Sequence, residues 1–94
     1  MATFVLVHGA WHGGWCWQKV VLLLEVAGHT ALAIDLPGHG DDTTPLKEVG
    51  PDAYRLRIRE VLSAQEGPVV LVGHSMGGII ISLGAEECPA KVAK

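Results

Sequence analysis

The sequence predicts an α/β fold: three layers, α/β/α, around a parallel sheet of three strands with three helices. Three observations predict it. Short, β-rich apolar runs alternate with longer mixed segments. Each run closes in polar or turn chemistry. The segments between carry apolar residues at helical spacing. Strands apolar on both faces belong in parallel sheets, because crossover helices cover both sides.

The elements follow in order. Thr3-Phe4-Val5-Leu6-Val7 is the first strand, closed by His8-Gly9. Trp17 to Ala27 is the first helix, with Val20, Val21 and Leu24 on one face and Gly28 placed to stop it. Ala31-Leu32-Ala33-Ile34 is the second strand, and Asp35-Leu36-Pro37-Gly38 turns out of it. Asp52 to Gln65 is the second helix. Tyr54, Ile58, Val61 and Leu62 share its inner face, and Arg55, Arg57 and Arg59 form a solvated face opposite. Pro51 or Asp52 suits its start, and Gly67-Pro68 ends it. Val69-Val70-Leu71-Val72 is the third strand. The last helix runs from Met76 to Glu87; Ile79, Ile80, Ile81 and Leu83 make it apolar nearly all round, the pattern of a buried central helix. The order β-α-β-α-β-α implies right-handed crossovers.

Composition narrows the function. The chain has 94 residues, enough for one domain at most. A domain of this length buries only about 60–65% of its unfolded surface, so it has little margin for uncovered faces. The net charge is -3, which disfavours nucleic acid and anionic membranes as partners, since both attract clustered Lys and Arg. No apolar stretch approaches the roughly 20 residues of a membrane span. No basic segment precedes Phe4–Val7, and that run is too short for a secretory signal, so a cytoplasmic location is expected. Cys16 and Cys88 stand far apart, with no CxxC, and read as buried reduced thiols.

The chemistry resides in Gly73-His74-Ser75-Met76-Gly77, a G-x-S-x-G pattern. It directly follows a strand and directly precedes a helix, the setting of a nucleophile elbow. Such a turn holds its serine in a strained conformation and lifts the hydroxyl above the sheet. Gly73 and Gly77 lack a Cβ, so strand and helix can approach closely around Ser75. Ser75 also sits at a helix N-terminus, where free N–H groups favour developing negative charge. The Met76 N–H is the expected first oxyanion donor. The turn His8-Gly9-Ala10-Trp11 supplies a second, the Ala10 N–H. Acyl transfer needs two such donors, and losing one typically costs about 3–4 kcal/mol.

Other readings fare worse. His8-x-x-x-His12 offers two ligands and no third, so no metal is expected. There is neither a P-loop nor a G-x-G-x-x-G, and no cofactor is expected. His12 lies on the loop over the strand end and is a candidate substrate contact. His74 reads as an elbow-packing residue, His29 and His39 as turn residues, and the three tryptophans Trp11, Trp15 and Trp17 as packing around the first helix.

Three segments together resemble the N-terminal part of an α/β-hydrolase: Phe4 to Trp15, Asp35-Leu36-Pro37-Gly38-His39-Gly40, and Val70 to Gly78. The run His8-Gly9-Ala10-Trp11-His12-Gly13-Gly14-Trp15 is similar to that of small carboxylesterases in the plant methylesterase and hydroxynitrile lyase group, and of their bacterial counterparts. Gly9 and His74 resemble the esterase branch. The resemblance implies a serine carboxylic-ester hydrolase with a small-molecule ester substrate. It implies sheet strands three, four and five in the spatial order 4-3-5. The first and third helices would share one face and the second the other. Asp35 would be structural. It also implies a triad in the order Ser, acid, His, yet no Asp and no His follow Ser75. Residues 1–94 therefore read as the N-terminal part of a single hydrolase domain, inactive alone, ending just before the next strand. Two rivals remain: a hydroxynitrile lyase-type use of the fold, and a noncatalytic module. The module would pair through the open edge of Val69–Val72, by self-association or with a complementary C-terminal fragment.

Overall fold

A computed structural model describes residues 1–94. Its main elements are β1 (Thr3–Val7), α1 (Gln18–Val26), β2 (Thr30–Ile34), α2 (Pro51–Ser63), β3 (Val70–Gly73) and α3 (Met76–Glu87). Single 3-10 turns cover Gly14–Trp17, Leu46–Glu48 and Pro89–Lys91. The three strands form one parallel sheet in the order β2-β1-β3. Val5 lies between Leu32 and Leu71, and Val7 between Ile34 and Gly73. β1 is central, so its Val5, Leu6 and Val7 lose all exposure, as a strand paired on both edges and covered on both faces should.

Side chains alternate across the sheet. Val5, Val7, Ile34, Val69 and Leu71 pack with Ile58 and Leu62 of α2 and Ile80 of α3 in one core. Burial of each such aliphatic side chain is worth roughly 1.5–3 kcal/mol. A Cβ built on Gly84 of α3 would fall 2.8 Å from Cγ1 of Ile58 and 3.1 Å from Cδ1 of Leu62, so the two helices touch directly. The Arg55 guanidinium of α2 also lies 3.5 Å from Glu87 of α3. This corrects the expected layering: α2 and α3 share a face, and α1 lies alone on the other. The reason is topological. The crossover from β1 to β2 and that from β2 to β3 run in opposite directions across the sheet. Right-handed crossovers in opposite directions put α1 and α2 on opposite faces. The chain leaves β3 in the same direction as it arrived, its last residues pairing beyond the outer edge of β3, so α3 joins α2.

Four further expectations change. α3 buries only Gly77, Ile80 and Gly84, and Ile79 stands 66% exposed, because the sheet and α2 cover one side of the helix alone. The outer edge of β3 is not left open along its length. The Val69 N–H donates to Lys91 O (2.8 Å), Ala93 N–H to Val69 O (2.8 Å) and Leu71 N–H to Lys94 O (2.7 Å), so the last four residues already run parallel beside it. Arg57 leaves the solvated face: its Nε–H donates to the Asp35 carbonyl at 3.0 Å. Cys16 is exposed and Cys88 partly buried. No helix is long and apolar enough to cross a membrane.

Candidate functional site

The turn from β3 into α3 carries Ser75 with φ 56° and ψ −117°, a left-handed φ that residues with a Cβ seldom adopt. Tight packing holds it there. A Cβ on Gly73 would lie 2.5 Å from the Gly77 carbonyl oxygen, and one on Gly77 would meet the carbonyls of Val7 and His8, the latter at 2.8 Å. The His74 N–H donates to Val7 O (3.0 Å), Gly77 N–H to His74 O (2.9 Å) and Gly78 N–H to Ser75 O (2.9 Å). The elbow is thus bonded to the end of β1 and to its own helix start. Ser75 is exposed at the carboxyl edge of the sheet.

The loop after β1 passes over this elbow. A Cβ on Gly9 would sit 3.3 Å from the Ser75 Cβ and 3.1 Å from the His74 carbonyl oxygen. Gly9–His12 forms a tight turn in which the His12 N–H bonds Gly9 O at 3.4 Å. The His12 Nδ1 bonds the Ala10 carbonyl at 2.9 Å. The Ala10 N–H donates to no carbonyl in this loop. A cleft of about 590 Å³ opens here, lined by Ala10, Trp11, His12, Trp15, Gly38, His39, Gly40, Leu46, Val49, Tyr54 and Met76. Ala10 and Met76, the expected donor residues, and His12, the expected contact, therefore border one cleft beside Ser75. It lies at the carboxyl ends of parallel strands where connections leave the central strand both ways, the usual place for a site in such sheets.

His8 is the one fully buried polar side chain. The Leu36 N–H donates to its Nε2 at 3.1 Å, so the ring proton resides on Nδ1, which bonds the Gly9 carbonyl at 2.7 Å. Burial pushes the His8 pKa below the usual imidazole range, against the opposing pull of the Gly9 carbonyl. A neutral ring thus ties the loop bearing Ala10 to the end of β2. Asp35 braces the next layer outward: its carboxylate accepts from Gly14 N–H (2.7 Å) and Asp41 N–H (3.2 Å). Asp42 accepts from Gly38 N–H (3.0 Å) and Thr44 N–H (2.8 Å); the Thr44 side chain first, then these two N–H groups, hold its pKa down at about 2.

Several residues differ from their sequence reading. Trp11 (94% exposed) and Trp15 (64% exposed) do not pack around α1 but border the cleft; only Trp17 is partly enclosed. His74 is exposed and stands edge-on to His12, ring centres 6.2 Å apart. His39 and Tyr54 join the cleft, 6.3 Å apart, and sequence reasoning missed them there. The available signal for His39 was its place just past the end of β2. No comparable signal marks Tyr54, which only the packing of α2 brings to the same edge. No three His, Cys, Asp or Glu side chains converge to hold a metal ion.

Fold and elbow together define a class. Residues 4–93 match the model of the alpha/beta hydrolase family, and the chain belongs to that family. It is 48% identical over 94 residues to methylesterase 7 of Arabidopsis thaliana, covering 96% of this chain and 36% of that protein. It is 47% identical over 93 residues to salicylic acid-binding protein 2 of Nicotiana tabacum, covering 95% and 35%. Among solved structures, polyneuridine aldehyde esterase superposes with a TM-score of 0.92 at 38% identity, covering 99% of this chain and 38% of that one. The chain thus spans about a third of the length of the curated relatives it matches.

Proposed function

We propose that this chain carries the nucleophile and oxyanion hole of a serine hydrolase acting on carboxylic esters of small molecules. The observation that supports it most is the strained, exposed Ser75 at the head of α3, directly beneath the Gly9–Ala10 turn. In this reading the Ser75 Oγ attacks the ester carbonyl carbon and gives its proton to a base. The carbonyl oxygen becomes an oxyanion held by the Ala10 and Met76 N–H groups. Collapse of the tetrahedral intermediate breaks the bond to the alkoxy oxygen, which leaves as the alcohol with the proton from the base. Water then hydrolyses the acyl-serine by the same steps. Gly9, Gly73 and Gly77 make the close approach possible, and His12 contacts substrate from the cleft wall.

A serine needs a base, and the base needs an orienting acid. Neither is supplied by a residue near Ser75: its Oγ makes no hydrogen bond, and Asp35 is occupied by backbone N–H groups. The acid and histidine come from sequence beyond these 94 residues, in keeping with relatives nearly three times as long. In the complete polypeptide, Ser75→Ala should lower kcat for a carboxylic ester by at least about 10³-fold. The 94-residue chain alone should hydrolyse p-nitrophenyl acetate no faster than its own Ser75→Ala variant. Full activity in the complete Ser75→Ala enzyme would remove this reading.

A further inference from the structure

Two residues other than glycine have positive φ: Ser75 at 56° and Trp11 at 67°. The elbow accounts for the first. Trp11 occupies the third position of the Gly9–His12 turn, where a positive φ normally selects glycine. A bulky aromatic residue there strains the backbone, and a smaller residue that tolerates this φ would serve folding better. Burial does not compensate, because Trp11 is 94% exposed. The turn is nonetheless held closed, by the His12 Nδ1 on the Ala10 carbonyl, the peptide that adjoins the strained residue. Backbone strain that no packing repays gathers where a ligand is held. The position of Trp11 says which ligand. It follows Ala10 directly and lines the same cleft, together with Leu46, Val49 and Tyr54. An indole is a broad, rigid apolar surface that meets flat groups face or edge on.

Resting on the assignment of Ser75 as nucleophile, we propose that Trp11 is a specificity-determining residue whose indole receives a flat apolar group of the substrate beside the reacting carbonyl. The strained turn keeps the ring at the cleft mouth and the Ala10 N–H next to it. The test uses the complete polypeptide with Trp11→Gly, Trp11→Asn and Trp11→Phe. Glycine and asparagine tolerate positive φ, so both variants should melt several degrees higher. A Tm that stays or falls would assign Trp11 to packing and overturn the proposal. The second readout is the ratio of kcat/KM for 2-naphthyl acetate to that for ethyl acetate. It should drop about tenfold or more in the glycine and asparagine variants, chiefly through KM, and be largely kept in Trp11→Phe. An unchanged ratio overturns the proposal. Ser75→Ala separates the two readings: retained hydrolysis there removes the nucleophile itself, whereas an inactive Ser75→Ala with an unchanged Trp11→Gly ratio removes only the role of Trp11.

Discussion

Ala10 and His8 show what single residues do at this site. Ala10 is the second residue of a turn whose third residue has positive φ, a position that accepts proline readily. Ala10→Pro should therefore keep the turn and delete only the N–H. On the proposed mechanism kcat should fall about 10²–10³-fold with little change in Tm, as measured by steady-state kinetics and thermal melts. His8 makes a pH prediction. Its folded pKa lies below the ordinary imidazole value of 6.5, because burial disfavours the charged ring. The unfolded chain takes up a proton as pH falls through that value, and the folded chain does not. The stability associated with neutral His8 is thus fully present above about pH 6.5 and declines below it, until the folded ring itself protonates. Urea midpoints should fall between pH 7.5 and pH 5.5, and fall less in His8→Asn. A pH-independent midpoint would contradict the buried neutral ring. Both nitrogens of His8 could be placed only once Leu36 and Gly9 were seen around it; the sequence reading put this residue on a loop.

At the scale of elements, the start of α3 sets its own rules. Gly77 and Gly78 are neighbours on the first turn, yet they face different surroundings. A Cβ on Gly77 would run into the Val7 and His8 carbonyls, which are backbone and cannot swing aside. A Cβ on Gly78 would meet nothing within 4 Å. Alanine favours a helix by about 0.5–1 kcal/mol over glycine. Overpacking costs roughly 1–3 kcal/mol or more. Gly77→Ala should consequently destabilise by about 2 kcal/mol or more, and Gly78→Ala should stabilise by up to about 1 kcal/mol. Denaturant titration of both variants checks the contrast. All six elements were legible from apolar runs and their stops; β1 and α3 match residue for residue, β2 ends at Ile34 as expected, and the remaining boundaries move by one or two. The 3-10 turn at Gly14–Trp17 was not legible, since Trp17 reads equally well as the first residue of α1. The face taken by α3 was also misjudged, while α1 and α2 lie on opposite faces as expected. Apolar spacing says that a helix has an inner side; the direction of its crossover decides which face of the sheet that side meets.

The whole molecule leaves apolar surface uncovered. Leu22, Leu23 and Val26 of α1 and Ile79 of α3 are all more than half exposed. Surface of this kind drives association in water. The isolated 94-residue chain should therefore self-associate as its concentration rises, and sedimentation velocity across a hundredfold dilution measures it. A sharp monomer throughout would show that this surface is inert. The sequence by itself determined the class of fold, the succession of strands and helices along the chain, the elbow around Ser75 and the loop that faces it. These are local patterns: periodicity, turn residues and the G-x-S-x-G spacing each act within a few neighbouring positions. Only the tertiary structure decided the rest. It brought Tyr54 and His39 to the cleft, set Trp11 at the cleft mouth in a strained turn, buried His8 between two strand ends, paired α2 with α3, and laid Lys91–Lys94 against β3. Such contacts join residues tens of positions apart, and their partners are chosen by packing and crossover handedness, which no short window of sequence contains.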